Sequence, residues 1–212
     1  MTVACQVRSP QGVALKPLIV GVLALQGAFE AHQQRLAELG AISRQVRTPH
    51  DFDGIGALIM PGGESTTMSK LLLSSGLFDL IASRIDDGMP VFGTCAGMIL
   101  LATQVLDGRP DQRSFGAIDI AVKRNGYGRQ VDSFEADLIV PLLGTDAAPF
   151  HGVFIRAPKV TSIGPDVTVL AEHEGTPVLL QQKGVTVASF HPELSNDHRL
   201  HEQFVNSFTH HL

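Results

Sequence analysis

Pro90-Val91-Phe92-Gly93-Thr94-Cys95-Ala96-Gly97-Met98-Ile99-Leu100-Leu101-Ala102 is the stretch on which the reading of this chain turns. An apolar run enters, a turn with a glycine on each side of Thr94-Cys95-Ala96 follows, and a helical run leaves. That is strand, sharp turn, helix. In a Gly-x-nucleophile-x-Gly turn the central residue sits in strained backbone geometry and the glycines relieve the crowding. Its side chain is thrust out at the end of the strand. The positive N-terminal end of the new helix favours a thiolate over a thiol. Cys95 is therefore read as a nucleophile, against the ordinary fate of a free cysteine as a small buried residue.

Upstream of the turn, strand and helix alternate. Leu18–Leu25 (LIVGVLAL) is a continuous apolar run, the pattern of a parallel strand covered on both faces. Ala28–Leu39 reads as a helix with Phe29, His32, Leu36 and Leu39 near one stripe and Gly40 as its stop. Ile42–Arg47 and Gly56–Met60 are two further strands. Pro61-Gly62-Gly63-Glu64-Ser65-Thr66 then lies at the carboxyl end of the third strand, the edge where open α/β sheets bind ligands. Ser65 or Thr66 is expected to cap a helix over Thr67–Ser74, and Leu77–Asp87 is a second amphipathic helix. The missing Gly-Lys-Ser/Thr ending argues against a phosphate loop.

Downstream the texture changes to short strands punctuated by glycine and proline: Ile118–Lys123, Phe134–Val140, Gly152–Ile155, Val167–Ala171, Val178–Gln182 and Val185–Phe190. His198–His211 closes the chain as a helix with Leu200, Phe204 and Phe208 at fourfold spacing. The fold class expected is α/β: a mainly parallel open sheet flanked by helices, with a mixed or antiparallel strand-rich second half.

A thiol nucleophile needs a base, and the base an orienter. Phe190-His191-Pro192-Glu193 follows the last strand. In an extended segment His191 and Glu193 project to the same side, so the carboxylate fixes one ring nitrogen and leaves the other for Cys95. The backbone N–H groups of the Gly62-Gly63 loop and of Ala96 are then placed to stabilise the oxyanion formed on a carbonyl; such a donor is typically worth about 3 kcal/mol. Arg124 and Arg156, near strand ends, are candidates for holding a carboxylate, or are simply exposed arginines. His198 and His201 lie three apart on the closing helix and read as a solvated face rather than a metal site.

Composition bounds the rest. The chain has 212 residues, 44% of them hydrophobic and 17% charged, with a net charge of −5. That length makes one large domain able to bury a sizeable core. The charge gives no footprint for nucleic acid or an anionic membrane. No apolar run approaches the roughly 18 residues needed to span a bilayer. The two cysteines, Cys5 and Cys95, make no disulfide framework, and residues 1–17 lack the apolar stretch of a secretory signal. A reducing, cytoplasmic setting is expected, with residues 1–17 as a flexible extension, Cys5 incidental, and 18–212 as a single domain.

Strand-Gly-x-Cys-x-Gly-helix with a downstream His-x-Glu resembles the triad, or class I, glutamine amidotransferases. Longer stretches are similar to the glutaminase subunits of pyridoxal 5′-phosphate synthase: Gly21–Gly27 (GVLALQG), Pro61–Met68 (PGGESTTM), Gly93–Gly97 (GTCAG), Arg124–Phe134 (RNGYGRQVDSF), Val153–Pro158 (VFIRAP) and Ser189–Glu193 (SFHPE). The likeness implies hydrolysis of L-glutamine to L-glutamate and ammonia without a cofactor or metal. It implies Cys95 as nucleophile with His191 and Glu193 as partners. It implies Gly63, Glu64, Ser65, Arg124, Ile155 and Arg156 as glutamine-binding positions. It also implies a separate (β/α)₈-barrel synthase subunit in a large hetero-oligomer, with Gln26 near that interface and a glutaminase nearly idle until the barrel docks. Gly126-Tyr127 and the N-terminal extension depart from the family's usual pattern. Two other readings stay open: the amidotransferase of another ammonia-using pathway, such as imidazole glycerol phosphate synthesis, and a silent module that only binds a barrel protein.

Overall fold

Alternating apolar runs build the first half of the molecule as the pattern requires. The computed structural model describes residues 18–126 and 133–209. Strand β1 (Ile19–Leu23) leads to helix α1 (Phe29–Glu38), then β2 (Ile42–Val46), a 3-10 turn at Pro49–Phe52, β3 (Ile55–Met60), α2 (Ser65–Ser74), α3 (Leu77–Asp86), β4 (Val91–Thr94) and α4 (Ala96–Leu101). The second half adds β5 (Ala102–Val105), β6 (Ile118–Lys123), β7 (Ser133–Leu138), β8 (Phe150–Ile155), β9 (Lys159–Ile163), β10 (Thr168–His173), β11 (Thr176–Gln182), β12 (Val185–Ala188) and α5 (Arg199–Thr209). The expected N-terminal extension with Cys5, and Tyr127 of the Gly126-Tyr127 pair, lie outside the described residues.

The main sheet has the order β10-β11-β12-β4-β3-β1-β2. Its β12-β4-β3-β1-β2 portion is parallel, and β11 and β10 extend it antiparallel. The α/β class with antiparallel additions is what the sequence implied. On one face α2, α3 and α4 bury Met68, Leu72, Leu77, Ile81 and Leu100 against Leu58, Met60 and Val91. On the other, α1 and α5 bury Leu36, Leu200, Phe204 and Phe208 against Val20, Val22, Ile59 and Phe92. Each such side chain contributes about 1.5–3 kcal/mol by leaving water. Among the described residues no helix is long and apolar enough to cross a membrane.

Three details differ from the sequence reading. Helix α2 starts at Ser65, and its cap is Glu64 rather than Ser65 or Thr66. The Glu64 carboxylate accepts from the Thr66 N–H at 3.1 Å and the Thr67 N–H at 2.7 Å. One anionic group thus satisfies two orphan donors at the positive end of a helix, which a hydroxyl cannot do. Strands β5 and β9 were not foreseen; with burial patterns Beei and iBeee they carry too few inward side chains to make a periodic signal. The last strand ends at Ala188 instead of running to Phe190, which frees the backbone to bend toward Cys95.

Candidate active site

Cys95 sits between β4 and α4 with φ 50° and ψ −103°. A non-glycine residue in that region is strained by about 1–3 kcal/mol and persists only where its surroundings hold it. They do so here. The Cys95 N–H continues the sheet ladder to the Ala188 carbonyl at 2.8 Å, and all six residues of α4 are buried. A Cβ on Gly97 would run into the Met60 carbonyl, and one on Gly93 would sit 2.8 Å from the Gly97 carbonyl carbon. Both glycines are therefore demanded by the close passage of helix over strand.

His191 follows the adjacent strand. Thr94 and Ala188 are paired across β4 and β12, so the two chains leave the sheet side by side. The His191 N–H bonds the Val153 carbonyl of β8 at 2.8 Å. Pro192–Leu194 is a 3-10 turn, not the extended segment expected from the sequence. The turn, closed by Leu194 N–H to the His191 carbonyl at 3.2 Å, brings the side chains together just as well: His191 Nδ1 is 2.8 Å from Glu193 Oε1. Burial lowers the His191 pKa, but hydrogen bonds and negative charge from Cys95 and Glu193 outweigh it and push it up to about 10. Glu193 is buried too; the nearby His32 and His191 nonetheless hold its carboxyl below the ordinary value. The Cys95 thiol also faces the Ile155 carbonyl at 3.9 Å. Cysteine, imidazole and carboxylate form one connected row.

In front of Cys95 opens a cleft of about 530 Å³, lined by Gln26, Gly63, Glu64, Ser65, Cys95, Arg124, Ile155, Arg156 and His191 among others. Every sequence-nominated residue except Glu193 and Ala96 faces it. Glu193 lies behind His191, and Ala96 is the first residue of α4, whose N–H has no partner within the helix. Gly62 presses the loop onto the site: a Cβ there would overlap the His191 ring and stand 3.3 Å from the Cys95 Cβ. Gln26 Oε1 accepts from the Glu64 N–H at 3.2 Å, tying the loop after β1 to the glycine loop. Arg124 Nη1 donates to Thr66 Oγ1 at 2.9 Å and stands 3.9 Å from the Glu64 carboxylate. Against the effect of burial, hydrogen bonds from Thr67 and Thr66 hold the Glu64 carboxyl at about 2. Arg156 has φ 43°, a second non-glycine residue with left-handed backbone at the cleft.

The closing helix corrects one expectation. His198 is exposed, but His201 is fully buried rather than solvated. Its Nε2 is 2.9 Å from His32 Nδ1. His32, read only as part of the apolar stripe of α1, is the site neighbour that sequence reasoning missed; a histidine among apolar stripe positions was the one signal. Among the described residues no group of three or more histidine, cysteine or acidic side chains is arranged to hold a metal ion.

Sheet order, cysteine turn and cleft define the class: this is a glutamine amidotransferase fold. A crystal structure of a glutamine amidotransferase matches it with a TM-score of 0.82 at 47% identity, over 88% of this chain and 97% of that one. Within the class, the chain belongs to the SNO glutamine amidotransferase family, whose profile matches residues 22–210. It is 49% identical over 188 residues to the pyridoxal 5′-phosphate synthase subunit PdxT of Streptomyces coelicolor, covering 89% of this chain and 92% of that protein. The subunit of the same name from Mycobacteroides abscessus is 50% identical over 89% of this chain and 96% of its own length.

Proposed function

We propose that this chain is the glutaminase subunit of a pyridoxal 5′-phosphate synthase, releasing ammonia from L-glutamine for a separate (β/α)₈-barrel subunit. The observation that carries the reading is the meeting of Cys95 with His191 and Glu193 at neighbouring strand ends, inside a cleft lined by Glu64, Arg124 and Arg156. The Cys95 thiolate attacks the side-chain amide carbon of glutamine. The resulting oxyanion takes hydrogen bonds from the Gly63 and Ala96 N–H groups. His191, as imidazolium, protonates the leaving nitrogen, and ammonia departs as the tetrahedral intermediate collapses to the thioester. Water then attacks the thioester with His191 as base, giving L-glutamate and the free thiol. Glu193 holds the imidazole orientation throughout. Arg124 and Arg156 supply charge for the substrate carboxylate, and Glu64, anionic at neutral pH, supplies it for the ammonium, with Gly63, Ser65 and Ile155 shaping the pocket. Gln26 links the glycine loop to the outer rim, where the barrel is proposed to dock and ammonia to pass across. The reaction uses no cofactor, and a thiol nucleophile suits a reducing, cytoplasmic setting.

The test is glutamate release by the wild-type chain and Cys95→Ala, each with and without the cognate barrel subunit. Strong stimulation by the barrel in the wild type and no turnover in Cys95→Ala are expected. Turnover retained in Cys95→Ala overturns the chemistry. Capture and stimulation by a different synthase overturn the partner.

A further inference from the structure

Glu193 is 1% exposed, and a buried carboxylate is costly unless both oxygens are met by donors. Oε1 is met by His191 at 2.8 Å. Oε2 has no aligned hydrogen bond, and the polar group against it is His32 Nε2 at 3.3 Å. His32 is itself fully buried. Its Nε2 also lies 3.2 Å from Oγ1 of Thr94, the residue before the nucleophile. Its Nδ1 meets His201 Nε2 at 2.9 Å, and His201 Nδ1 hydrogen-bonds nothing among the described residues.

These distances select one tautomer for each ring. If His201 carries its proton on Nε2, it donates to His32 Nδ1. His32 then carries its proton on Nε2, facing Thr94 Oγ1 at 3.2 Å and Glu193 Oε2 at 3.3 Å, and the ring nitrogen left unmet is an acceptor on His201. The reverse arrangement strands a buried N–H on His201 and turns a lone pair of His32 toward an anion, both of which are penalised. The charged and titratable groups around His32 are Glu193 and His191 from the turn after β12, His201 from α5, and Arg35 on its own helix. Arg35 donates to the Glu193 carbonyl at 3.3 Å. Burial lowers the pKa of both His32 and His201, consistent with neutral rings.

We infer that His32 is a positioning residue for the proposed Cys95–His191–Glu193 chemistry: its Nε2–H, fixed by His201, holds the outer oxygen of Glu193 and so sets the angle at which His191 is presented to Cys95. The inference rests on that catalytic reading. It adds two side chains to the row, which runs Cys95, His191, Glu193, His32, His201 from the cleft to helix α5. A neutral donor serves here better than lysine or arginine. A second cation would compete with the His191 imidazolium for the same carboxylate.

The test compares wild type, His32→Leu and His32→Gln for glutamine hydrolysis in the assembled synthase. Alongside, the pH dependence of Cys95 alkylation by iodoacetamide and thermal melting are measured on the full chain. Expected for His32→Leu are a kcat lower by about tenfold or more, the scale on which hydrogen-bond partners behind a functional group act, an unchanged KM, and a displaced alkylation profile. Glutamine at position 32 keeps an N–H donor and is expected to restore most of the rate. Unchanged kcat and profile in His32→Leu, with Cys95→Ala inactive, overturn this inference alone. Turnover in Cys95→Ala instead overturns the catalytic reading beneath it. Equal losses in the Leu and Gln variants, tracking melting temperature, mean a packing role and also overturn it. Independently of any variant, ring-nitrogen NMR of the wild-type chain is expected to show His32 neutral with its proton on Nε2; a proton on Nδ1 overturns the assignment.

Discussion

On the inner side of the cleft Cys95, His191 and Glu193 are 7%, 8% and 1% exposed, whereas on the outer side the Glu64 and Arg124 side chains keep 52% and 26% of their surface in solvent. The inner groups hang from β4 and β12, two paired strands in the middle of a sheet. The outer groups are held by a helix cap, by hydrogen bonds of Glu64 with Thr67 and of Arg124 with Thr66, and by ion pairs of Arg124 with Glu64 and Asp107 at 3.9 Å. The first kind of support is set by the fold and resists adjustment. The second is screened by water and adapts when a ligand enters. In the proposed mechanism the side chains assigned to chemistry are thus held by the fold, and those assigned to recognition are left adjustable.

The sharpest way to break that contrast is Glu193→Gln. It leaves the fold in place but presents the wrong group to His191, and kcat for glutamine hydrolysis is expected to fall by about 10⁴-fold with little change in KM. A change confined to KM would put Glu193 on the recognition side. Arg124→Ala probes the other side. Loss of a charge-assisted contact worth about 1.5–3 kcal/mol should raise the glutamine KM by about ten- to a hundredfold, with kcat nearly held. A large kcat loss there would show that the outer side also serves the chemistry.

A third measurement sharpens the inner half. His191 is held up to about 10, above the ordinary histidine value of 6.5. The stability its charge contributes is therefore complete below about 6.5 and lost as pH rises through about 10. Cys95→Ala removes one of the two partners that raise it. The His191 ring titration followed by NMR should move down toward 6.5, and the alkaline edge of stability with it. An unmoved titration would mean that Glu193 alone sustains the imidazolium.

The smallest effect belongs to the outer half. Glu64 is held at about 2 against an ordinary 4.5. Its cap contribution is present above 4.5 and disappears as pH falls toward 2. Because the carboxylate is half exposed, screening leaves the cap's usual value of about 1 kcal/mol rather than the full shift. Denaturant unfolding of Glu64→Ala should show that loss at pH 7 and a shrinking difference below pH 4.

Much of this was legible in the order of residues. The continuous apolar runs announced buried parallel strands, and the glycine-flanked Cys95 and the His191-x-Glu193 pair announced side chains that the fold does bring together. What was not legible depended on distance in sequence. Whether Glu64 or Ser65 caps α2 is decided by where the backbone amides point, not by local preference. His201, three and seven positions before Phe204 and Phe208, lies on the apolar stripe of α5 and not on the solvated face expected of it; which group that stripe meets, His32 169 positions away, is set only by the fold. His191 and Glu193 meet through a 3-10 turn, and no alternation rule predicts that.

β12 is the last strand among the described residues, yet it occupies a central place in the sheet, between β11 and β4. A ribosome therefore exposes the sulfur of Cys95 some 96 residues before it delivers the imidazole of His191. Until Val185–Ala188 slots in beside β4, the elbow lacks its neighbour and the cleft lacks a wall. In the proposed mechanism the pairing of Cys95 with His191 therefore waits on β12, and a polypeptide cut short before that segment lacks the proposed base.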